Sequence, residues 1–286
     1  MLPVIVSGLA VGAVYASTAL IYNLMYSTSK VLSVTTGHIV MLGSVFGAWL
    51  ISALGLPAPL ALLGAVVAGV AFGLLTEIVA VRRVLARSDE HLWLLSTLAL
   101  ATMTQQAVGL WWGTEPRPFP RVIPQDFSHG IADQKFWLPV AVMVFAVAGL
   151  ELFCRRTMWG KLFQATSEDA FAARARGIST DRVRMLSYAI AGGLGGLCGF
   201  AAGQLTFAYF ALGLTLTLNG FIAIAVGGLG SSIGAVAGGL ALGLLSAFAT
   251  YFFGGAYQQT IAVGLLMVVL MIRPAGLFGA RGMRPV

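Results

Sequence analysis

The sequence predicts an all-α fold, a polytopic transmembrane helical bundle of eight or nine membrane segments, and two observations support this. Of 286 residues, 58% are hydrophobic and only 9% are charged, whereas about a quarter of the residues in a soluble domain are charged. The apolar segments also have helix length instead of the ten-residue alternation of barrel strands. We therefore expect one membrane domain over residues 1–286.

Nine apolar segments divide the chain, and the seventh is short enough to be re-entrant, which would reduce the crossings to eight. They cover residues 4–26, 39–54, 58–81, 92–112, 136–153, 183–207, 217–229, 233–253 and 257–272. The seventh and eighth form a stretch that is too long for one crossing and is broken near Gly227 to Ser232. The sequence therefore predicts discontinuous helices in the carboxyl half.

The basic residues predict the orientation of the chain. Fourteen of the seventeen lie in the loops after the first, third and fifth helices, at the start of the sixth and in the carboxyl tail: Lys30, Arg82, Arg83, Arg87, Arg155, Arg156, Lys161, Arg174, Arg176, Arg182, Arg184, Arg273, Arg281 and Arg284. The opposite side has Arg117, Arg121 and Lys135, balanced by three acids. The positive-inside rule places the basic side in the cytoplasm. The +7 charge thus reflects topology, and no nucleic-acid partner is expected.

A polar interruption at residues 159–184 contains a predicted short helix over about 168–176. Ser167 is expected as its N-cap, because a serine hydroxyl accepts a hydrogen bond from an otherwise unpaired backbone N–H. Glu168 and Asp169 then place negative charge at the positive end of the helix dipole.

The other end of this helix carries complementary signals. Arg174 and Arg176 lie at the negative end of the dipole. Gly177 follows, and glycine adopts the left-handed conformation that commonly ends a helix. The orientation above puts this capped helix on the cytoplasmic side.

Three segments resemble one transporter family. They are EIVAVRRVLARSDEHLWLLSTLALATMTQQAV from Glu77, SEDAFAARARGISTDRVRMLSYAIAG from Ser167 and GFIAIAVGGLGSSIGAVAGGLALGLLSAF from Gly220. Together they are similar to the branched-chain amino acid ABC transporter permease family, the inner-membrane permease subunits of high-affinity importers. The likeness extends over nearly the whole chain.

This resemblance implies how the protein works. In the family, the loop resembling 159–184 docks into a groove on a cytoplasmic ATPase, so the coupling residues would be Ser167, Glu168, Asp169, Arg174, Arg176 and Gly177. The implied partners are a second homologous permease, two cytoplasmic ATP-binding subunits, an extracytoplasmic solute-binding protein and membrane lipid. ATP and Mg would bind the partner subunits, and no cofactor or metal is expected in this chain. The implied location is the plasma (inner) membrane of a prokaryote.

One segment departs from the family. Most relatives have an Asn-Phe-Ala-His-Gly-Glu type sequence before the second helix, where this chain has SVTTGH over 33–38. The resemblance suggests branched-chain or other hydrophobic amino acids as substrates, and the departure leaves urea, short amides and aromatic acids open.

The substrate path is expected between two interrupted stretches. Non-helical backbone at membrane depth is tolerated only where it is buried in protein or lines a cavity. The candidate path residues are Ser33, Thr36, His38, Asn219, Gly227, Gly228 and Ser231. For each glycine, close helix packing is the commoner role, and for His38 an interfacial, solvated position is favoured over a role in the path.

No enzymatic motif is evident, because the chain lacks a Walker A sequence, a His-Glu-x-x-His zinc helix and a recognisable Ser–His constellation. A stand-alone channel or secondary transporter is the alternative from another class, and buried charged pairs would favour it. None is expected, since Glu77 should reach the Arg82 cluster and Glu151 should pair with Arg155 four residues later.

Overall fold

The computed structural model describes residues 1–85, 92–120, 134–274 and 276–278. Within these ranges the chain is helical, and its one pairing of extended residues is an isolated bridge between Arg117 and Ala208. Six charged residues used in the topology argument lie outside the described residues: Arg87, Arg121, Asp126, Asp133, Arg281 and Arg284.

The described helices run in order from the amino terminus. They are α1 (Leu2–Ser29), α2 (Thr36–Leu54), α3 (Ala58–Leu75), a π-helical turn (Thr76–Val81), α4 (Arg82–Leu85), α5 (Leu92–Trp112), α6 (Gln134–Arg156), α7 (Met158–Glu168), α8 (Ala170–Ala175), α9 (Thr180–Leu205), α10 (Leu212–Gly227), α11 (Ser232–Phe253), a 3₁₀ turn (Gly255–Tyr257) and α12 (Gln258–Ile272). The structure confirms the predicted all-α bundle.

Seven described helices are long and apolar enough to cross a membrane. They are α1, α2, α3 with its continuation, α6, α9, α11 and the last helix. Two predicted segments are not among them: α10 has only 16 residues, and α5 carries Thr102, Thr104, Gln105 and Gln106 in its second half. A count of eight or nine crossings stays a prediction.

Helix α1 forms the centre of the bundle by packing closely on α11. A Cβ atom on Gly12 would lie 3.1 Å from Cα of Leu240, and one on Gly239 would overlap the backbone of Ala16. Residues 12–25 of α1 are all buried. Small residues let membrane helices approach until their backbones touch, so Gly12 and Gly239 are needed for the close packing of α1 on α11.

A second close contact joins α3 to α9 through a regular stripe. Ala61, Ala65, Gly69 and Gly73 recur every four residues on α3 and are buried. A Cβ atom on Gly69 would overlap the carbonyl of Gly192, and one on Gly73 would overlap that of Tyr188. Ridges of residues spaced by four interdigitate in this way when two helices pack along them. Glu77, in the π-turn, occupies the next position of the stripe.

Candidate coupling helix and substrate path

The capped helix predicted in the polar loop is α8, and its N-cap is Asp169. The Asp169 Oδ1 accepts hydrogen bonds from the backbone N–H of Phe171 (2.8 Å) and of Ala172 (3.0 Å). The assignment of the N-cap to Ser167 was wrong, since this residue lies in the last turn of α7 and its hydroxyl donates to the carbonyl of Gln164. The predicted start at 168 was also wrong, because Glu168 ends α7 and the chain becomes extended only at Asp169 (φ −149°).

The carboxyl end of α8 agrees with the sequence. Gly177 has φ +82°, its N–H donates to the Arg174 carbonyl at 2.9 Å, and the N–H of Ile178 donates to the Ala173 carbonyl at 3.1 Å. These two bonds form a Schellman motif, which satisfies carbonyls that the helix leaves unpaired. The predicted left-handed glycine is confirmed.

The surface of α8 is exposed and mixed in chemistry. Ala173 is its one buried residue, whereas Arg174 and the adjoining Arg176 are exposed. Phe171 is 81% exposed, and sequence reasoning missed it. A large apolar side chain among alanines in a charged loop was the available signal, because exposed aromatic residues commonly anchor protein–protein interfaces.

The last turn of α7, directly before α8, is joined to the bundle by Lys30. The Lys30 Nζ donates to the carbonyl of Ser167 at 2.8 Å. Lys30 has φ +55° and is the one non-glycine residue with positive φ in the described part of the chain. It begins the connection from α1 to α2, so this connection contacts the coupling loop directly.

The start of α2 is buried completely. Ser33 and Thr36 have 0% exposure and His38 has 1%. The Ser33 hydroxyl lies 2.7 Å from that of Thr35, and the Thr36 hydroxyl donates to the Ser33 carbonyl at 2.9 Å. The preference for a solvated, interfacial His38 was therefore wrong. The prediction failed because α2 begins at Thr36, three residues earlier than predicted, so that His38 lies within the helix.

His38 faces α5 and α10. Its Nε2 lies 3.4 Å from Oε1 of Gln105, and a Cβ atom on Gly213 would lie 2.8 Å from its Cδ2. Glycine at 213 thus leaves room for the imidazole. The Thr217 hydroxyl donates to the Val34 carbonyl at 3.2 Å. The start of α2 therefore contacts the first half of α10.

The predicted break in the carboxyl half lies between α10 and α11. Gly228 and Gly230 have φ values of +107° and +87°, and the Ser231 hydroxyl caps α11 by accepting from the Gly234 N–H at 3.0 Å. A Cβ atom on Gly227 would overlap the Gly234 carbonyl, so Gly227 is required for close packing.

Two further parts of the chain form hydrogen bonds with the residues around this break. The Asn23 Oδ1 accepts from the Gly230 N–H at 3.0 Å, and its Nδ2 donates to the Ser232 hydroxyl at 3.2 Å. The N–H groups of Leu277 and Phe278 donate at 2.9 Å to the carbonyls of Val226 and Gly227.

The two halves of the candidate path are not in direct contact through the residues predicted for it. Asn219 is 3% exposed, and its amide donates to the Thr215 carbonyl within α10. Helix α1 links the two halves. Tyr22 donates to the Thr217 carbonyl at 3.2 Å, and the next residue, Asn23, forms hydrogen bonds with Gly230 and Ser232 at the break. Sequence reasoning missed both residues, although polar side chains in the last third of an apolar helix were the signal.

An apolar groove of about 770 Å³ lies beside the path, between α2, α3 and α5. Leu42, Phe46, Phe72 and Trp111 are among the residues that line it, with Thr104 as its polar member. Because it offers so few polar groups for a charged or zwitterionic solute, we do not assign the substrate to it.

The two intramembrane acids behave differently. Glu151 pairs with Arg155 at 2.6 Å, as predicted. Of the described members of the Arg82 cluster, neither Arg82 nor Arg83 pairs with Glu77, whose Oε1 lies 3.0 Å from Nε of Arg184 on α9. The four-residue stripe explains the difference, because it directs position 77 toward α9.

A bundle of long apolar helices with a capped helix on a polar loop defines a polytopic membrane domain. The family model described as "Branched-chain amino acid transport system / permease component" matches residues 4–272. The chain belongs to this family, as the sequence motifs indicated.

Individual relatives agree with this assignment. The chain is 30% identical over 291 residues to the high-affinity branched-chain amino acid transport system permease protein BraD of Pseudomonas aeruginosa, covering 96% of this chain and 94% of BraD. It is 28% identical over 292 residues to the corresponding permease protein LivH of Escherichia coli K12, with coverage of 96% and 94%. A solved structure, PsaBC from Streptococcus pneumoniae in complex with Fab, shares the fold with a TM-score of 0.54 and 15% identity, covering 96% of this chain and 92% of that one.

Proposed function

We propose that this protein is the transmembrane permease subunit of an ATP-driven ABC importer in the plasma membrane of a prokaryote. Its complex would contain a second homologous permease, two cytoplasmic ATP-binding subunits and an extracytoplasmic solute-binding protein. The observation that carries the proposal is the family match over residues 4–272. ATP and Mg would bind the partner subunits.

The geometry of α8 supports the coupling role. The helix is fixed at both ends, by Asp169 and by the Gly177 turn, so it is a preorganised surface. Phe171 would fill an apolar depression on the ATPase while Arg174 and Arg176 contact acidic groups around it, as in interfaces with an aromatic anchor and a polar rim. Glu168 and Ser167 would position the helix from the end of α7.

For the substrate, we propose branched-chain or other hydrophobic amino acids. The names of BraD and LivH support this class. The polar groups at the start of α2, above all His38, together with Gln105 of α5, favour urea, short amides or aromatic acids as the second candidate. A binding screen of the partner solute-binding protein against these classes distinguishes them, because that protein delivers the solute.

The proposal is tested by uptake into proteoliposomes. We expect accumulation of solute against its gradient only when the permeases, ATPases, solute-binding protein and ATP are all present, because this chain has no nucleotide-binding motif of its own. The buried Glu77–Arg184 pair is the feature that would favour a secondary transporter. Proteoliposomes of this chain alone are therefore also given a proton or sodium gradient, and concentrative uptake there would contradict the proposal.

A further inference from the structure

The ion pair between Glu77, in the π-turn after α3, and Arg184, near the start of α9, is unusual because both charged side chains are buried or nearly so. The side chains are 0% and 12% exposed, and Oε1 lies 3.0 Å from Nε. Among the described residues, no protein group bonds the other carboxylate oxygen, Oε2. A well-packed apolar pair is often at least as stabilising as a buried ion pair. Stability alone therefore does not account for these two charges.

The backbone around Glu77 is also unusual. Residues Thr76–Val81 form a π-helical turn, in which the N–H of Arg82 donates to the carbonyl of Glu77, five residues earlier. Such turns are rare and frequently lie at functional sites. This turn interrupts the long α3 segment where it meets the beginning of α9.

The beginning of α9 follows the coupling helix almost directly. Only Arg176 to Ser179 separate α8 from α9. Arg184 lies in the second turn of α9 and also bonds Asp181 at 3.0 Å. Any displacement of α8 is therefore applied to the α9 turn that holds Arg184.

The same part of α9 is joined to α1 on another side. The Tyr188 hydroxyl donates to the Ser29 hydroxyl at 3.3 Å, and the Ser187 hydroxyl donates to the Leu24 carbonyl at 2.8 Å. Ser29 directly precedes Lys30 and the buried connection that leads to Ser33 and Thr36. The first turns of α9 thus contact both α3 and the chain that forms the candidate path.

We infer that Glu77 and Arg184 are positioning residues that make α3 and α9 move as one body when the coupling helix is displaced. This inference rests on the proposed importer function. The pair would touch neither solute nor nucleotide. Its role would be to pass the movement of α8 through α9 to the start of α2.

The test uses the complete importer in proteoliposomes, with Glu77→Gln/Arg184→Met as the main variant. Removing both charges together leaves no unpaired buried charge, while the new amide at position 77 loses its partner, so we expect assembly with the ATPases and a modest loss of thermal stability. Uptake per ATP hydrolysed should fall at least fivefold, because hydrolysis continues while its movement reaches the path poorly. A merely structural pair would leave this ratio unchanged in a stable variant.

The matched control is Glu151→Gln/Arg155→Met, which makes the same chemical changes in an exposed pair on α6 and should leave uptake per ATP at the parental value. Glu77→Asp keeps both charges and lengthens the contact, and it should lower the ratio even if the double variant does not fold. Parental coupling in the double variant, or in Glu77→Asp if the double variant does not fold, would overturn the inference. If the parent chain itself fails to assemble with ATPases, the proposed function fails instead.

Discussion

Asp169 shows how a single side chain decides where the coupling helix begins. Ser167, Glu168 and Asp169 are all acceptable N-cap or first-turn residues by type, and the sequence favoured the first. The cap is set by the residue at which the backbone becomes extended, and this depends on where α7 ends. A helix of six residues has few internal hydrogen bonds, so its two capping bonds are a large share of its stability.

We expect Asp169→Ala to destabilise α8 by about 1 kcal/mol, the usual cost of losing an N-cap. The affinity of the ATPase for the detergent-solubilised permease should fall about fivefold, which is that free energy converted to an equilibrium constant. Asp169→Asn, which retains the acceptor, and Ser167→Ala should bind like the parent. An equal loss of affinity in Ser167→Ala and in Asp169→Ala would show that Ser167 also caps α8.

Arg174→Glu should also weaken binding of the ATPase, because the reversed charge would repel the acidic groups expected on the ATPase.

At the scale of the elements, the start of α2 and the break before α11 differ in their exposure to solvent. Thr36 and Asn219 are buried, whereas Ser231 is partly exposed. Gly37, which follows the Ser33–Thr36 turn, packs directly against α10, since a Cβ atom there would overlap the Gly213 carbonyl. In the described conformation the candidate path is therefore closed at the start of α2.

Cysteine substitutions test this arrangement after Cys154 and Cys198 have been replaced by alanine. Ser231→Cys should react with a small water-soluble thiol reagent at rest. Thr36→Cys and Asn219→Cys should react only during ATP turnover, when a closed path must open. Ser44→Cys is the control, since Ser44 lies on α2, is equally buried and faces α9 at Gly203. Uniform inertness at the three path positions, or equal labelling of Ser44→Cys, would place the path elsewhere.

At the scale of the whole molecule, local sequence predicts helices better than it predicts which helices meet. The carboxyl end of α5 was predicted at 112 and observed at Trp112, because the apolar run ends there before Gly113. The predicted partner of Glu77 was wrong because the true partner, Arg184, is decided by the register of α3 against α9. The four-residue stripe would have given the face of α3, although not the helix opposite. Asn23 was missed for the same reason, because it acts on a segment more than 200 positions away.

The orientation of the molecule gives a prediction at this scale. Lys161 and Glu115 are both exposed, and the distribution of basic residues predicts that they lie on opposite sides of the membrane. In the same cysteine-free background, Glu115→Cys should react with a membrane-impermeant maleimide in intact spheroplasts. Lys161→Cys should react only after permeabilisation. The reverse labelling pattern would invert the topology and remove α8 from the reach of a cytoplasmic ATPase.

The contact between α1 and α11 has a consequence for how the protein is made. Ala16 and Gly239 touch across this contact but are 223 positions apart in the chain. At a synthesis rate of about 5–20 residues per second, α1 waits roughly 10–45 s in the membrane before its main partner emerges from the ribosome. During that time its glycine face must be covered by lipid, by α9 or by an insertion factor. A chain interrupted before residue 232 would never complete the centre of the bundle.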